Sequence, residues 1–408
     1  MLKGAEPMQS VRKVTEDIYW LSINDEGLEL FEEFIPIPEG VAYNSYLLVD
    51  EKTVLFDTAD MRVADEFMDN LKYALDGKSL DYVVVQHMEP DHSCCIKHIL
   101  NIYPEVIVVG NKKTFQFMRQ FGIEIKDENI NEVVEGDVLI TGKHTIAFAF
   151  APMVHWPEVM VSYDTTTGVL FSADAFGSFG KIGAELFSDE VDYDKDWLEL
   201  ARRYYTNIVG KYGTPVQNLL KKASSLNIKM FLPLHGLVWR ENLGYLLDKY
   251  DKWSSYEPEE QGVLIVYASM YGNTEKAAHL VDKMLKEKGV TTAIYNVSET
   301  DVAYLISETF RLSHVVIACP THNMGVFPLM KTYLSRLASS NLKNRTFGII
   351  ENSTWAPRAG DIINEFLQKE VTGMTVLKDR VKIISDLNEE NDSEIEGLVG
   401  ALISSLES

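Results

Sequence analysis

The segment Asp81 to Ser93 reads DYVVVQHMEPDHS, and its two halves differ in kind. Tyr82, Val83, Val84 and Val85 form the β-branched run of a buried strand; the chain then turns polar and places His87, Glu89, Asp91 and His92 within six positions. This pattern predicts a ligand loop at a strand end. On an extended segment alternate side chains share a side, so His87, Glu89 and Asp91 are expected to converge, with His92 entering from the next position. Pro90 stiffens the loop between two of them. Imidazole and carboxylate donors suit a first-row metal such as iron, manganese or zinc, and the loop has no thiolate to hold an iron–sulfur cluster.

Composition narrows the partners of such a site. The 408 residues exceed one ordinary domain and fit two or three. The formal charge of −23 argues against a nucleic-acid partner, since phosphate binding needs a basic face. The opening MLKGAEPMQSVRK lacks the apolar core of a signal peptide and no run reaches the length of a membrane span, so a cytoplasmic protein with no membrane partner is expected. Cys94, Cys95 and Cys319 provide neither a disulfide framework nor a CxxC pair, and read as small buried hydrophobes.

Around the loop, strands are predicted within Lys13 to Asp50, over Thr53 to Ala59, at Val106 to Gly110 and on both sides of Gly142. Helices are predicted over Met61 to Leu75, Cys94 to Ile102 and Lys112 to Phe121. Several strands lack room for a crossover helix, which predicts an α/β sandwich of sheets with helices outside. Three more ligand-type residues each follow an apolar strand: AFAFAPMV ends at His155, GVLFSA at Asp174 and IKMFLPL at His235. That is where loops build sites on a rigid frame. His98, His144, His279 and His314 lack this placement and read as structural. Asp174, with two oxygens, can bridge two metals, with His87, Glu89 and His155 on one and Asp91, His92 and His235 on the other.

The H-x-E-x-D-H loop, followed by HWP, by a strand-ending Asp and by PLHG, resembles the metallo-β-lactamase-like domain of flavodiiron proteins. The resemblance implies an αβ/βα sandwich and carries metal-ligand roles onto His87, Glu89, Asp91, His92, His155, Asp174 and His235. Hydrolases of that superfamily carry H-x-H-x-D-H. Glu89 stands at the middle position here, and an anionic oxygen in place of a neutral nitrogen favours ferric iron, which moves the expectation from zinc hydrolysis to iron redox chemistry.

Helices are predicted over Asp194 to Tyr212, Thr214 to Leu226 and Glu241 to Trp253; the acidic, proline-broken WSSYEPEEQG then reads as a linker, dividing the chain into residues 1–255 and 256–408. GVLIVYA, the hydroxyl-rich SMYGNT and an amphipathic helix form a strand–loop–helix unit that aims backbone N–H groups at a phosphate. With no Lys before its Thr and no GxGxxG, a monoester phosphate held by Ser269, Asn273, Thr274 and the backbone of Met270, Tyr271 and Gly272 is expected. TTAIYNV, SHVVIAC, TFGIIEN and RVKIIS complete five parallel strands of a flavodoxin-like doubly wound sheet, whose ligand sits beyond the strands' carboxyl ends. Two further loops lie there: Pro320, Thr321, His322 and Asn323 in CPTHNMG, and Glu351, Asn352, Ser353, Thr354, Trp355 and Ala356 in ENSTWAP. Trp355 offers a plane for an isoalloxazine ring, which predicts FMN.

All three loops resemble those of the flavodoxin domain in flavodiiron proteins, in the two-domain form without a fused rubredoxin. The resemblance implies FMN, two irons bridged by Asp174, and reduction of dioxygen to water or of nitric oxide to nitrous oxide. Electrons would come from rubredoxin or a reduced deazaflavin coenzyme, in a head-to-tail homodimer or a dimer of dimers. His155, Trp156 and Pro157 would wall the pocket. Two other readings stay open on the residues alone: a zinc hydrolase fused to a flavodoxin module, and a binding module whose first domain is inert.

Overall fold

The computed structural model describes residues 10–407, so most of the opening stretch read above for a leader, residues 1–9, lies outside the described residues. Packing divides the chain into two units. One takes the chain up to Tyr204 with Thr214–Asp248; the other takes Tyr205–Gly213 with the chain from Lys249 onward. The sequence-level division at residue 255 falls at the end of the helix Leu243–Ser255, which the packing division crosses.

The first unit is built on two sheets. The larger runs in the order Val11–Lys13, Ile18–Leu21, Tyr46–Val49, Thr53–Phe56, Tyr82–Val84, Ile107–Gly110, Ile130–Glu132. Its first four strands are antiparallel and the rest parallel. The smaller runs Val138–Ile140, Thr145–Phe150, Met160–Asp164, Val169–Phe171, Met230–Leu232, with only the last pair parallel. The sheets meet where Phe56 stacks on Phe171 at 3.7 Å between ring centroids, with Tyr46 edge-on to the same ring. Phe67, Leu71 and Leu75 recur at helical spacing, which makes Ala64–Leu75 a helix with one apolar face, buried on the larger sheet.

Two sequence-level helices differ from what forms. The helix after the ligand loop begins earlier than Cys94, as a turn over Pro90–Ser93 followed by Ile96–Ile102, because proline is pre-organised for a first helical position. The helix predicted over Asp194 to Tyr212 breaks into Tyr193–Asp196 and Leu198–Tyr204, then widens to a π turn at Tyr205–Val209.

The second unit carries five parallel strands in the order Thr292–Asn296, Glu260–Tyr267, Leu312–His322, Thr346–Ser353, Thr375–Ile384, the flavodoxin-like plan. Val263, Ile265, Val316 and Ile350 face a core shared with Asn273–Glu287 and with a closing helix, Glu389–Leu406, that the sequence reading stops short of. The alternate residues Leu264, Val266, Val315 and Ile317 are equally buried on the opposite face, as a doubly covered sheet requires. Among the described residues no helix is long and apolar enough to cross a membrane.

His144 ties the two sheets of the first unit together. Its Nδ1 lies 2.7 Å from Asp164 and its Nε2 3.2 Å from Asp17, while Asp50 accepts its backbone N–H at 3.1 Å. Burial works to remove its proton, but hydrogen bonds to Asp164 and Asp17 outweigh that and raise its pKa above 6.5. Because folding raises the pKa, the stabilisation is complete below the unfolded value and is lost as pH climbs through the raised one. In urea unfolding, His144→Asn should fall further below wild type at about pH 6 than at about pH 9; an equal gap would mean that the ring is held neutral.

Candidate metal and flavin sites

Val83 and Val84 of the strand Tyr82–Val84 and Val85 just past it are fully buried, so the strand is fixed by packing and delivers the next residues to one edge of the sheet. Asp57, at the end of the neighbouring strand, accepts hydrogen bonds from Gln86 N at 2.8 Å, His87 N at 3.2 Å and Gln86 Nε2 at 3.0 Å. It does so from a left-handed backbone, φ 53°, as does Ala173, φ 52°, just before Asp174; that conformation costs a non-glycine residue roughly 1–2 kcal/mol. Asp91 does not continue the alternation of His87 and Glu89. It sits with His92 on the helical turn begun by Pro90, where His92 N donates to Glu89 O at 2.9 Å and Thr58 caps His92 O. The turn swings Asp91 and His92 toward a second group of donors.

All seven predicted ligand residues come together, in two groups: His87, Glu89, His155 and Asp174, and Asp91, His92 and His235. Asp174 stands between them. Its Oδ2 lies 3.2 Å from Nε2 of both His87 and His155, and its Oδ1 lies 3.2 Å from His92 Nε2 and 3.8 Å from His235 Nε2. Glu89 Oε2 completes the first group, 3.2 Å from His87 and 2.8 Å from His155; Asp91 Oδ2 completes the second, 3.3 Å from His92 and 3.4 Å from His235.

The electrostatics ask for positive charge. Burial acts to strip the protons from His87, His92 and His155, yet the surrounding carboxylates more than reverse it, Asp174 foremost for His87 and His155 and Asp91 for His92. All three rings are held above their usual range, His155 at about 9. Both Asp91 oxygens, Asp174 Oδ1 and His92 Nε2 are buried without a hydrogen-bond partner among the described residues. Four imidazoles and three carboxylates left in this state fit a pair of cations with mixed nitrogen and oxygen ligation.

Several residues at this site escape the sequence reading. Glu158 Oε1 lies 2.8 Å from His87 Nδ1. Glu32 lines a cavity of about 280 Å³ at the mouth with Phe31, Tyr43, Glu89 and Asp91, and burial together with Glu89 pushes its carboxyl up to about 7. Asp57 could have been found, since it ends an apolar strand just as Asp174 does. Glu32 and Glu158 carry no such signal.

In the second unit the three predicted loops enclose a cavity of about 520 Å³. Ser269 Oγ accepts from Gly272 N at 3.0 Å and Glu275 N at 3.3 Å, and Gly272, at φ 87°, supplies the left-handed turn that starts the helix. Thr321 Oγ1 accepts from Arg358 N and Ala359 N, and Ser353 Oγ from Ala356 N, which fixes the other two rims. Asn273, Thr274, Met270, Tyr271, Pro320, His322, Asn323, Asn352, Thr354, Trp355 and Ala356 all line the cavity; so do Met324 and Ser385, which the sequence reading missed. Glu351 does not line it. Its side chain turns to the start of the helix Ala359–Lys369, where the carboxylate accepts from Gly360 N at 3.1 Å. Trp355 and Tyr271, 85% and 90% exposed, are free to face a ligand rather than committed to a core. Hydroxyls and amides at one end and aromatic planes at the rim fit a phosphate joined to a flat ring system.

Comparison with known proteins agrees with both halves. The family model described as ODP family beta lactamase matches residues 41–236, and that of flavodoxin residues 265–396. The chain is 30% identical to a nitric oxide reductase of Moorella thermoacetica, over 87% of this chain and 89% of that protein. It is 30% identical to an anaerobic nitric oxide reductase flavorubredoxin of Vibrio vulnificus, over 86% of this chain and 72% of the relative. Rubredoxin oxygen:oxidoreductase from Desulfovibrio gigas superposes with a TM-score of 0.90 at 25% identity, covering 97% of this chain and 98% of the other. The flavodiiron protein of Giardia intestinalis gives the same values. The chain therefore belongs to the flavodiiron proteins, oxidoreductases that join a diiron site in a metallo-β-lactamase-like domain to an FMN-binding flavodoxin domain.

Proposed function

We propose that this chain is a cytoplasmic reductase of dioxygen to water, of nitric oxide to nitrous oxide, or of both, drawing electrons from rubredoxin or a reduced deazaflavin coenzyme. The observation that carries this reading is the anionic donor set, in which Glu89 adds a third carboxylate to Asp91 and Asp174. Glu89 is also what separates it from metal-activated hydrolysis, because a carboxylate at that position favours a metal that changes valence over one that only polarises water. Bound iron supplies one-electron chemistry and open coordination positions, and bound FMN accepts electrons and passes them on singly.

The chain's own residues then have distinct tasks. His87, Glu89 and His155 would hold one iron and Asp91, His92 and His235 the other, with Asp174 placed between the two groups. Trp156 stands edge-on to His87 at 5.3 Å between centroids, and Phe31 edge-on to His235 at 5.7 Å, so apolar rings wall the donors and limit water. His235 Nδ1 is held by Ala42 O at 2.9 Å, which turns its Nε2 inward. In the second unit the Ser269 to Thr274 loop takes the flavin phosphate and Trp355 its ring. The relatives' names, nitric oxide reductase and rubredoxin oxygen:oxidoreductase, support both gases and a rubredoxin donor. Exposed Tyr271, Trp355 and Met324 around the flavin cavity support a head-to-tail pairing of two copies, singly or as a dimer of dimers, because a partner would cover them.

Anaerobically purified protein should contain two irons and one FMN per chain, and in stopped flow the reduced protein should be reoxidised rapidly by at least one of the two gases. Two zincs in place of iron, or reduced protein indifferent to both gases, would sink the reading. Asp174→Ala should lose both irons and gas reduction while keeping its flavin; loss of flavin with iron retained would contradict the division of labour between the domains.

A further inference from the structure

The outward nitrogens of the buried ligand histidines are treated unequally. His87 Nδ1 meets a carboxylate, Glu158 Oε1, at 2.8 Å, with both side chains wholly buried. His235 Nδ1 meets a neutral carbonyl, Ala42 O, at 2.9 Å. His92 Nδ1 is buried with no hydrogen-bond partner among the described residues. The Glu158 carboxylate is itself fixed: Oε1 also accepts Met88 N at 2.8 Å, and the residue's backbone carbonyl accepts Asn111 Nδ2 at 2.5 Å. Among the described residues its Oε2 is buried without a hydrogen-bond partner, and the carboxylate's hydrogen bonds are those at Oε1, to His87 and Met88.

We propose that Glu158 is a positioning residue that makes the two metal positions electronically unequal, by holding His87 as a more electron-rich imidazole than either His92 or His235 of the other group. A carboxylate accepting the Nδ1 proton pushes density toward Nε2, a carbonyl does so less, and an unpartnered nitrogen not at all. Through His87, the group of His87, Glu89 and His155 would be the stronger donor set, and an iron held there would favour the ferric state relative to one held by Asp91, His92 and His235. Glu158 lies three residues after His155, so one loop both supplies a ligand and orients another from a different strand. The pair should then take up electrons in two separated steps, with a mixed-valent form between them.

The inference rests on the iron reading above, and wild-type iron content tests that reading separately. Glu158→Gln keeps the side chain's volume and an acceptor for Met88 N while removing the charge. With flavin content as the check on folding, iron retention against a chelator and a redox titration followed by electron paramagnetic resonance provide the readouts. The variant should lose one of its two irons about 10–100-fold more readily than wild type, and its largest mixed-valent fraction should drop. Glu158→Asp, which keeps the charge but withdraws it from His87, should show the same selective loss more weakly, and carries the test if the glutamine variant does not fold. Irons held as in wild type, or both lost in parallel with the mixed-valent fraction unchanged, would overturn the proposal.

Discussion

One carboxylate sets the terms for the metal-binding half of the protein. Asp174 is buried, with one oxygen turned to His87 and His155 and the other to His92 and His235. A buried carboxylate without a positive partner costs several kcal/mol, and here Glu89 and Asp91 stand beside it. The pocket is tolerable only if it holds cations, as protons on the imidazoles or as metal ions. The raised pKa values of His87, His92 and His155 are the first of these solutions, and the oxygens of Asp91, buried without a hydrogen bond among the described residues, mark where protons alone fall short.

Such a pocket has to be built on something that cannot relax. The donors follow the strands Tyr82–Val84, Thr145–Phe150, Val169–Phe171 and Met230–Leu232, whose own side chains are largely committed to packing. Strand residues spend their faces on the core, so polar chemistry is left to the ends. The flavodoxin-like unit obeys the same rule: its cavity lies beyond the ends of Glu260–Tyr267, Leu312–His322, Thr346–Ser353 and Thr375–Ile384.

The rule also explains what could be seen in advance. A ligand-type residue directly after an apolar strand is a local pattern, and it picks out His87, His155, Asp174 and His235 without any knowledge of which strands become neighbours. Asp57 fits the same pattern yet plays a different part, accepting from Gln86 and His87 rather than joining the donors. Glu351 shows the opposite failure: its strand runs on to Ser353, and Asn352 and Ser353 reach the cavity, but the Glu351 side chain is turned to Gly360 instead.

By itself the sequence determined most of the elements and the two kinds of fold, and it picked out seven ligand-type residues that come together and nearly all of the residues that line the flavin cavity, because these follow from period, turn chemistry and residue type over short stretches. Only the tertiary structure decided that Asp91 and His92 ride on a helical turn, that Glu351 turns away from the flavin cavity, and that Glu158, Glu32, Met324 and Ser385 stand at the sites. The physical reason is that spacing along a chain encodes local conformation. Which loops meet at a sheet edge is set by strand order and register, through contacts such as His87 with Glu158, 71 residues apart, that no short window contains.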